Sequence, residues 1–445
     1  MKGSDPMKKM AMITMILAAM LAASLTGCGT NQISEDTAAN NSSSVSISAE
    51  ETANSAVKAE TLTEDTAVSD EIAVMELSQT VSSDTESSEL FTSRDLEQTA
   101  DTSDAQYITV SDSQTIDITA EGVYVISGTA ADCTIRVNAD ENAKVQLVLD
   151  GVSITNSDFP AIYVISADKV FVTMTDSENT LTVSGQFTAD GETNTDAVIF
   201  SKDDLVLNGT GTLNILSNSG NGITSKDDLK ITGGTYNVQS ALDAIEANDS
   251  ISISDGVFTI NTNKDGLHCE NDNAEGTVTI TGGSFTINAK SDGIQATALL
   301  QIDGGSMIIN ASEGLEATYV LINDGTINIT ASDDGINASA KTNTYDTVIE
   351  INGGDLTVAV GQGDTDAIDS NGSIYVNGGI INITAQMSSF DYDRTAEFNG
   401  GTIIINGQEV SEIPQSMMGG GMRGGMGGNM QDGMGSFGGR QRRAF

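Results

Sequence analysis

Gly222-Ile-Thr-Ser-Lys-Asp-Asp-Leu-Lys-Ile-Thr-Gly-Gly-Thr-Tyr-Asn-Val238 is the stretch whose reading decides the fold. Leu229 and Ile231 flank a lysine, and Tyr236 and Val238 flank an asparagine. Alternation at period two marks short strands with one buried face. The Gly233-Gly234 pair between them marks a turn. Ile223 begins a third short apolar element, closed by the polar run Ser225–Asp228.

Moving outward, the same pattern returns. A glycine turn recurs nine times, at Gly211, Gly234, Gly256, Gly283, Gly305, Gly325, Gly354, Gly379 and Gly401. Two and four positions after each stand apolar residues, from Leu213/Ile215 to Ile403/Ile405, with a mostly polar residue between. Pairs from Leu229/Ile231 to Ile374/Val376 precede the glycines, and single residues from Ile223 to Ile368 follow a second turn. Three short strands per coil of about 20–29 residues predict a solenoid. One coil cannot bury its apolar face alone, whereas coils stacked ~4.8 Å apart share a continuous core. The fold class expected is therefore all-β, a parallel β-helix. It spans 106–410, with a less regular N-terminal part up to Thr182. Extra residues at Asn271–Gly276 and Lys341–Thr347 read as insertions beside a binding face.

The flanks are of other kinds. Lys8 and Lys9 precede an apolar run ending in Leu25-Thr26-Gly27-Cys28, which reads as a signal peptide with a lipobox. Cys28 is then the lipidation site of an exported lipoprotein on the extracellular face of the envelope, touching the membrane only through its lipid. Residues 29–105 are rich in Ser, Thr, Ala, Glu and Asp and read as a disordered acidic linker. Residues 411–445 form a Gly/Met/Arg tail, with Met418, Met422, Met426, Met430 and Met434 at every fourth position. Soft-metal binding by thioethers and a plain flexible tail are both open there, the second being favoured. Cys133 and Cys269 fall on distant coils and are expected as buried thiols, not a disulfide.

The 445 residues carry a net charge of −44, which excludes nucleic acid as a partner and favours cations. The acidity is organised. Asp196, Asn221, Asp243, Asp265, Asp292, Glu313, Asp334 and Asp366 recur at one turn, each followed by Gly or Ala, residues that suit a tight turn with positive φ. A second polar column follows: Glu246, His268, Gln295, Glu316, Asn337 and Asp369, with Glu270 nearby. Stacked carboxylates ~5 Å apart repel by roughly 3 kcal/mol at an effective dielectric of ~20. A divalent cation would reverse that sign, and oxygen donors favour calcium. The candidate metal ligands are Asp243, Glu246, Asp265, Glu270, Asp292, Glu313, Glu316, Asp334, Asp366 and Asp369. The competing reading is that Asp and Asn simply suit turns. Asp203/Asp204 and Asp227/Asp228 form a further acidic stack, for which Lys202 and Lys226 suggest a salt-bridge ladder.

At these residues the chain resembles a known family. Phe200-Ser-Lys-Asp-Asp-Leu, Ser291-Asp-Gly-Ile-Gln-Ala, Gly122-Val-Tyr-Val-Ile-Ser-Gly and Phe390-Asp-Tyr-Asp-Arg-Thr-Ala-Glu-Phe-Asn-Gly-Gly-Thr resemble segments of bacterial exported carbohydrate-binding β-helix proteins. The resemblance runs over about 107–410. It implies an open right-handed, pectate-lyase-like parallel β-helix that binds calcium and acidic polymers such as polygalacturonate, and cellulose.

Three functions follow as expectations. The first is calcium-assisted, non-catalytic binding of polysaccharide by a monomer, with Tyr319, Tyr345, Tyr375, Tyr392 and Phe390 as candidate rings for sugar stacking. The second is a pectate-type lyase, with Lys264 or Lys290 as the base. A lysine beside carboxylates has a raised pKa, which disfavours that role. The third is a structural adhesin or stalk.

Overall fold

The computed structural model describes residues 90–271, 276–363 and 365–414. Among them every regular element is a strand. The strands form a 24-stranded sheet and a 12-stranded sheet, and nearly all pairing is parallel. This is a β-solenoid of about twelve coils. The opening stretch supplies one coil: Asn221–Ser225, Asp228–Ile231 and Thr235–Ser240. The first strand belongs to the 12-stranded sheet, termed here the carboxylate column. The other two belong to the pre-glycine and post-glycine columns.

Register is strict from coil to coil. Ile223, Ile245, Leu267, Ile294, Leu315 and Ile336 pair in succession, and Leu213, Tyr236, Phe258, Phe285 and Met307 do the same. All are buried in one continuous core. Like meets like, so aromatic rings stack: Tyr236 lies 5.1 Å from Phe258, and Phe258 4.5 Å from Phe285, with nearly parallel planes. Asparagines do the same at the turn before the glycines. Asn352 donates to Asn323, Asn377 to Asn352 and Asn399 to Asn377, at 2.8–2.9 Å.

The paired glycines have separate causes. Gly354 has φ +87°, a left-handed value. A Cβ on Gly353 would stand 2.4 Å from the Asn323 carbonyl of the preceding coil.

Three features differ from the sequence reading. Ile116, Ile135, Ile162 and Ile199 continue the carboxylate column, so the N-terminal coils share the regular stack. The repeat is masked there because Gly122–Ala131 and Lys144–Asn156 run through the corner as single long strands. The composition also carries the linker to residue 105, whereas from Leu90 the chain packs on the solenoid. Lys230 Nζ donates to the Leu90 carbonyl at 2.6 Å, and the Arg94 guanidinium stacks on Phe171. Asp95 is fully buried near Lys169 and Lys230, and Gln98 bonds Thr232 and Gly209. A single aromatic, Phe91, and one acid with two lysines outweigh the composition around them. Finally, Phe390 continues the buried column after Ile368. It is core and not a sugar platform.

Cys133 and Cys269 are free and buried, as expected. At the C-terminal end Thr402–Ile405 turns through Asn406-Gly407, both at positive φ, into antiparallel Gln408–Val410. Cys28 and the methionine-rich tail lie outside the described residues.

The register carries a direct consequence. Ile260 points into the core and neighbouring Thr259 to solvent. Chemical denaturation should show Ile260→Ala losing ~2–5 kcal/mol and Thr259→Ala within about 0.5 kcal/mol of wild type.

Candidate functional site

The acidic turn sits at the entry to the carboxylate column. One oxygen of Asn221, Asp243, Asp265 and Asp334 has a structural task. Asp243 N–H donates to Asn221 Oδ1 at 2.9 Å, Asp265 N–H to Asp243 Oδ1 at 3.0 Å and Asp292 N–H to Asp265 Oδ1 at 2.9 Å. Asp366 N–H donates to Asp334 Oδ1 at 2.8 Å. The side chains thus extend the inter-coil ladder where the strand is only beginning. The small residue that follows does not need positive φ, contrary to the turn argument. At Gly293 a Cβ would meet the Gly314 carbonyl at 2.5 Å, so close stacking excludes it.

The second polar column points outward from the same strands in unbroken register: Thr224, Glu246, His268, Gln295, Glu316, Asn337, Asp369 and Asp391. Its charges are handled differently along its length. Glu246 accepts from Asn221, Thr224 and, at 3.2 Å, Lys226. Lys226 therefore serves this column, and the Asp203/Asp204 and Asp227/Asp228 stack has no lysine ladder of the expected kind. There Asp204 meets Lys169 at 3.4 Å and Asp228 accepts from Ser250.

One coil on, Asp243 Oδ2 lies 2.8 Å from Lys264 Nζ and 3.3 Å from His268 Nδ1. Burial opposes its charge, but the bonds from His268 and Lys264 win and hold the Asp243 carboxyl down at about 2. Burial likewise works against protonated Lys264 and His268, and Asp243 raises both above their ordinary values. The raised Lys264 pKa disfavours the base role expected for it. Lys290 is exposed on the turn before Asp292. Asp265 is raised, by burial and then by Asp243. Glu270 reaches His268 Nε2 at 3.4 Å.

Further along, single oxygens of Asp292, Glu313 and Glu316 lie within 4.8 Å of one another. Lys341, from the second insertion, donates to Glu316 at 2.8 Å, with Gln295 and Ser339 adding bonds. Against its burial, these lower Glu316. Asp292 has only a long bond from Ser291 at 3.4 Å and a weaker attraction from Lys341, and burial, then Asp265, Glu313 and Glu316, push it up to about 7. Glu313 is raised mainly by burial, despite a bond from Asn337. Asp369 is also pushed up to about 7, by burial and by Asp334, Asp366, Asp391 and Asp393. These two carboxyls mark where the face holds more negative charge than its cations offset.

The aromatic candidates divide. Tyr319 and Tyr345 meet edge to face at 6.0 Å, and the Tyr319 hydroxyl bonds Glu350. Tyr375 pairs in register with Glu350. These three rings gather on the outer face of the pre-glycine column, not on the carboxylate face. Tyr392 continues the inward position of Ser370 and packs partly against the core. A ring cluster the sequence reading missed, Phe159, Tyr163 and Phe200, lies on the outer face at the other end of the carboxylate column. Its signal was available, because Tyr163 and Phe200 occupy the register positions that precede Thr224 and Glu246.

The family of carbohydrate-binding domain-containing proteins matches residues 112–367 and 315–412, together more than half of the chain. The chain belongs to that family. A family member from Acetivibrio thermocellus, described as a carbohydrate-binding domain-containing protein, is 37% identical over 130 residues, which are 28% of this chain and 45% of that protein. The chain thus matches less than half the length of this relative. A solved structure described as the polysaccharide lyase-like protein from C. thermocellum, in its gadolinium derivative, is 26% identical. It covers 67% of this chain and 96% of its own, with a TM-score of 0.33.

Asp292 and Asp369 set a pH dependence. Their folded pKa of about 7 exceeds the ordinary 3.8, so they favour folding most below pH 3.8 and lose that contribution as pH rises through 7. In chelator, Asp292→Asn and Asp369→Asn should raise the melting temperature at pH 8 and leave it nearly unchanged at pH 4. Differential scanning calorimetry at the two pH values checks this.

Proposed function

We propose that the carboxylate face binds calcium at Asp292/Glu313/Glu316 and at Asp334/Asp366/Asp369, and through it an acidic polysaccharide such as polygalacturonate. The observation that carries this reading is the pair of carboxyls, Asp292 and Asp369, lifted to about 7 by burial among other carboxylates. Such groups gain most from a hard cation, and the donors there are oxygens. Calcium would cancel the excess charge and offer open coordination positions to uronate carboxylates. An anionic face would then accept an anionic polymer. The chain's own groups hold the donors in place: the Asp334–Asp366 amide bond, Asn337 on Glu313, and Lys341, Gln295 and Ser339 on Glu316.

Family membership supports the carbohydrate part of the reading. The protonated state of Lys264 favours a binder over a lyase. The same proposal has this binder lipid-anchored on the outer face of the cell envelope, a reading supported by the signal segment and Cys28. Tyr319, Tyr345 and Tyr375 offer a second contact for sugar rings around the corner from the carboxylates.

Affinity chromatography on immobilised polygalacturonate tests the reading. Retention should fall by about tenfold or more in chelator. The Asp292→Asn/Asp369→Asn double variant should show the same loss in calcium. Full retention in chelator would overturn the calcium bridge, and release of unsaturated uronate would overturn the non-catalytic reading.

A further inference from the structure

Asp243, Asp265 and His268 differ from the rest of the carboxylate face. One of them is a nitrogen donor, and all three are more than nine-tenths buried, as Asp292 and Glu316 also are. Each has one polar atom already committed. Asp243 Oδ1 accepts the Asp265 amide at 3.0 Å, Asp265 Oδ1 accepts the Asp292 amide at 2.9 Å, and His268 Nε2 faces Glu270 at 3.4 Å. One ligand atom from each of the three residues lies within 4.8 Å of the others.

A cation already stands among them. Lys264 Nζ is 2.8 Å from Asp243 Oδ2, 3.5 Å from His268 Nδ1 and 3.7 Å from Asp265 Oδ2. His268 Nδ1 faces Asp243 Oδ2 as well as Lys264, so without metal it donates to the carboxylate; a metal in the place of Lys264 would take Nδ1 as a lone-pair donor, with the ring proton on Nε2 towards Glu270. A carboxylate behind the distal nitrogen is the usual support of a metal-bound histidine. His268 Nδ1 is 3.3 Å from Asp243 Oδ2 and 3.7 Å from Asp265 Oδ2. Tetrahedral zinc with bonds of ~2.0–2.1 Å holds its donors ~3.3 Å apart.

We propose that Asp243, Asp265 and His268 form a transition-metal site of the zinc class, in which the Lys264 ammonium takes the metal's place when no metal is bound. The Lys264 side chain is 44% exposed and can swing out to solvent. Its departure leaves three protein ligands and an open fourth position, the arrangement of an accessible zinc site. The nitrogen donor separates this site from the oxygen-only groups assigned above to calcium.

His268 is the chain's single histidine, so its imidazole NMR signals report on this site alone, whatever other groups bind metal. The untagged full chain is titrated with Zn2+ in excess calcium. The His268 ring signals should move to a new position that saturates. Lys264→Met should tighten this event by roughly tenfold, because a competing positive charge is removed. Lys264→Gln serves the same purpose if the methionine variant is unstable. His268→Gln carries no ring signals, so its zinc binding is read by titration calorimetry in excess calcium, where the event that Lys264→Met tightens should be missing; its melting temperature in chelator should stay within a few degrees of wild type. Unmoved ring signals in both wild type and the Lys264 variant would overturn the proposal, as would weaker binding in that variant. Retention on polygalacturonate is a separate readout, so either result leaves the calcium reading to its own test.

Discussion

Parallel stacking in strict register is the constraint on which this structure depends. A residue repeated in every coil meets its own kind one rung away, ~4.8 Å along the axis. For isoleucine, leucine and phenylalanine that self-contact builds a core, seen as the buried Ile223-to-Ile336 column and the Tyr236, Phe258, Phe285 stack. For asparagine it builds a ladder, because an amide is donor and acceptor at once, as along Asn323, Asn352, Asn377 and Asn399. For carboxylates it creates a conflict, since two acceptors of like charge face each other.

The chain answers that conflict in stages along one face. Backbone amides take one oxygen of Asp243, Asp265 and Asp334. Lys226, Lys264 with His268, and Lys341 then meet Glu246, Asp243 and Glu316. Neither a backbone amide nor a bonded cation meets the Asp292 and Asp369 carboxylates in this way, and their raised carboxyls record the deficit. The turn chemistry of Asp and the metal chemistry of Asp are therefore not rivals here. Asp243, Asp265 and Asp334 do the first with one oxygen, and the second is proposed above for neighbouring acids of the same face.

Much of this was legible in the sequence, because a solenoid writes its contacts as a period. The three apolar columns, both polar columns and the insertion that brings Lys341 could all be read from spacing. What spacing hides is any contact that breaks the period. Phe390 looks like a ring in a polar loop and is the last buried member of a column. Leu90–Gln98 looks like linker and docks through Arg94, Asp95 and Gln98 onto coils far along the chain, at Phe171, Lys169 and Thr232. Lys226 looks like the partner of its neighbours Asp227 and Asp228, but its long side chain reaches Glu246 on the next coil. Pairing of charges depends on where side chains can extend, and period does not encode that.

If Asp292 and Asp369 are carboxyls frustrated by their neighbours and relieved by a divalent cation, carboxyl-carbon NMR titration of the two residues will show it. Midpoints near 7 are expected in chelator, with a fall below the ordinary 3.8 when calcium is present. Midpoints near 4 in chelator that calcium leaves unmoved would contradict it.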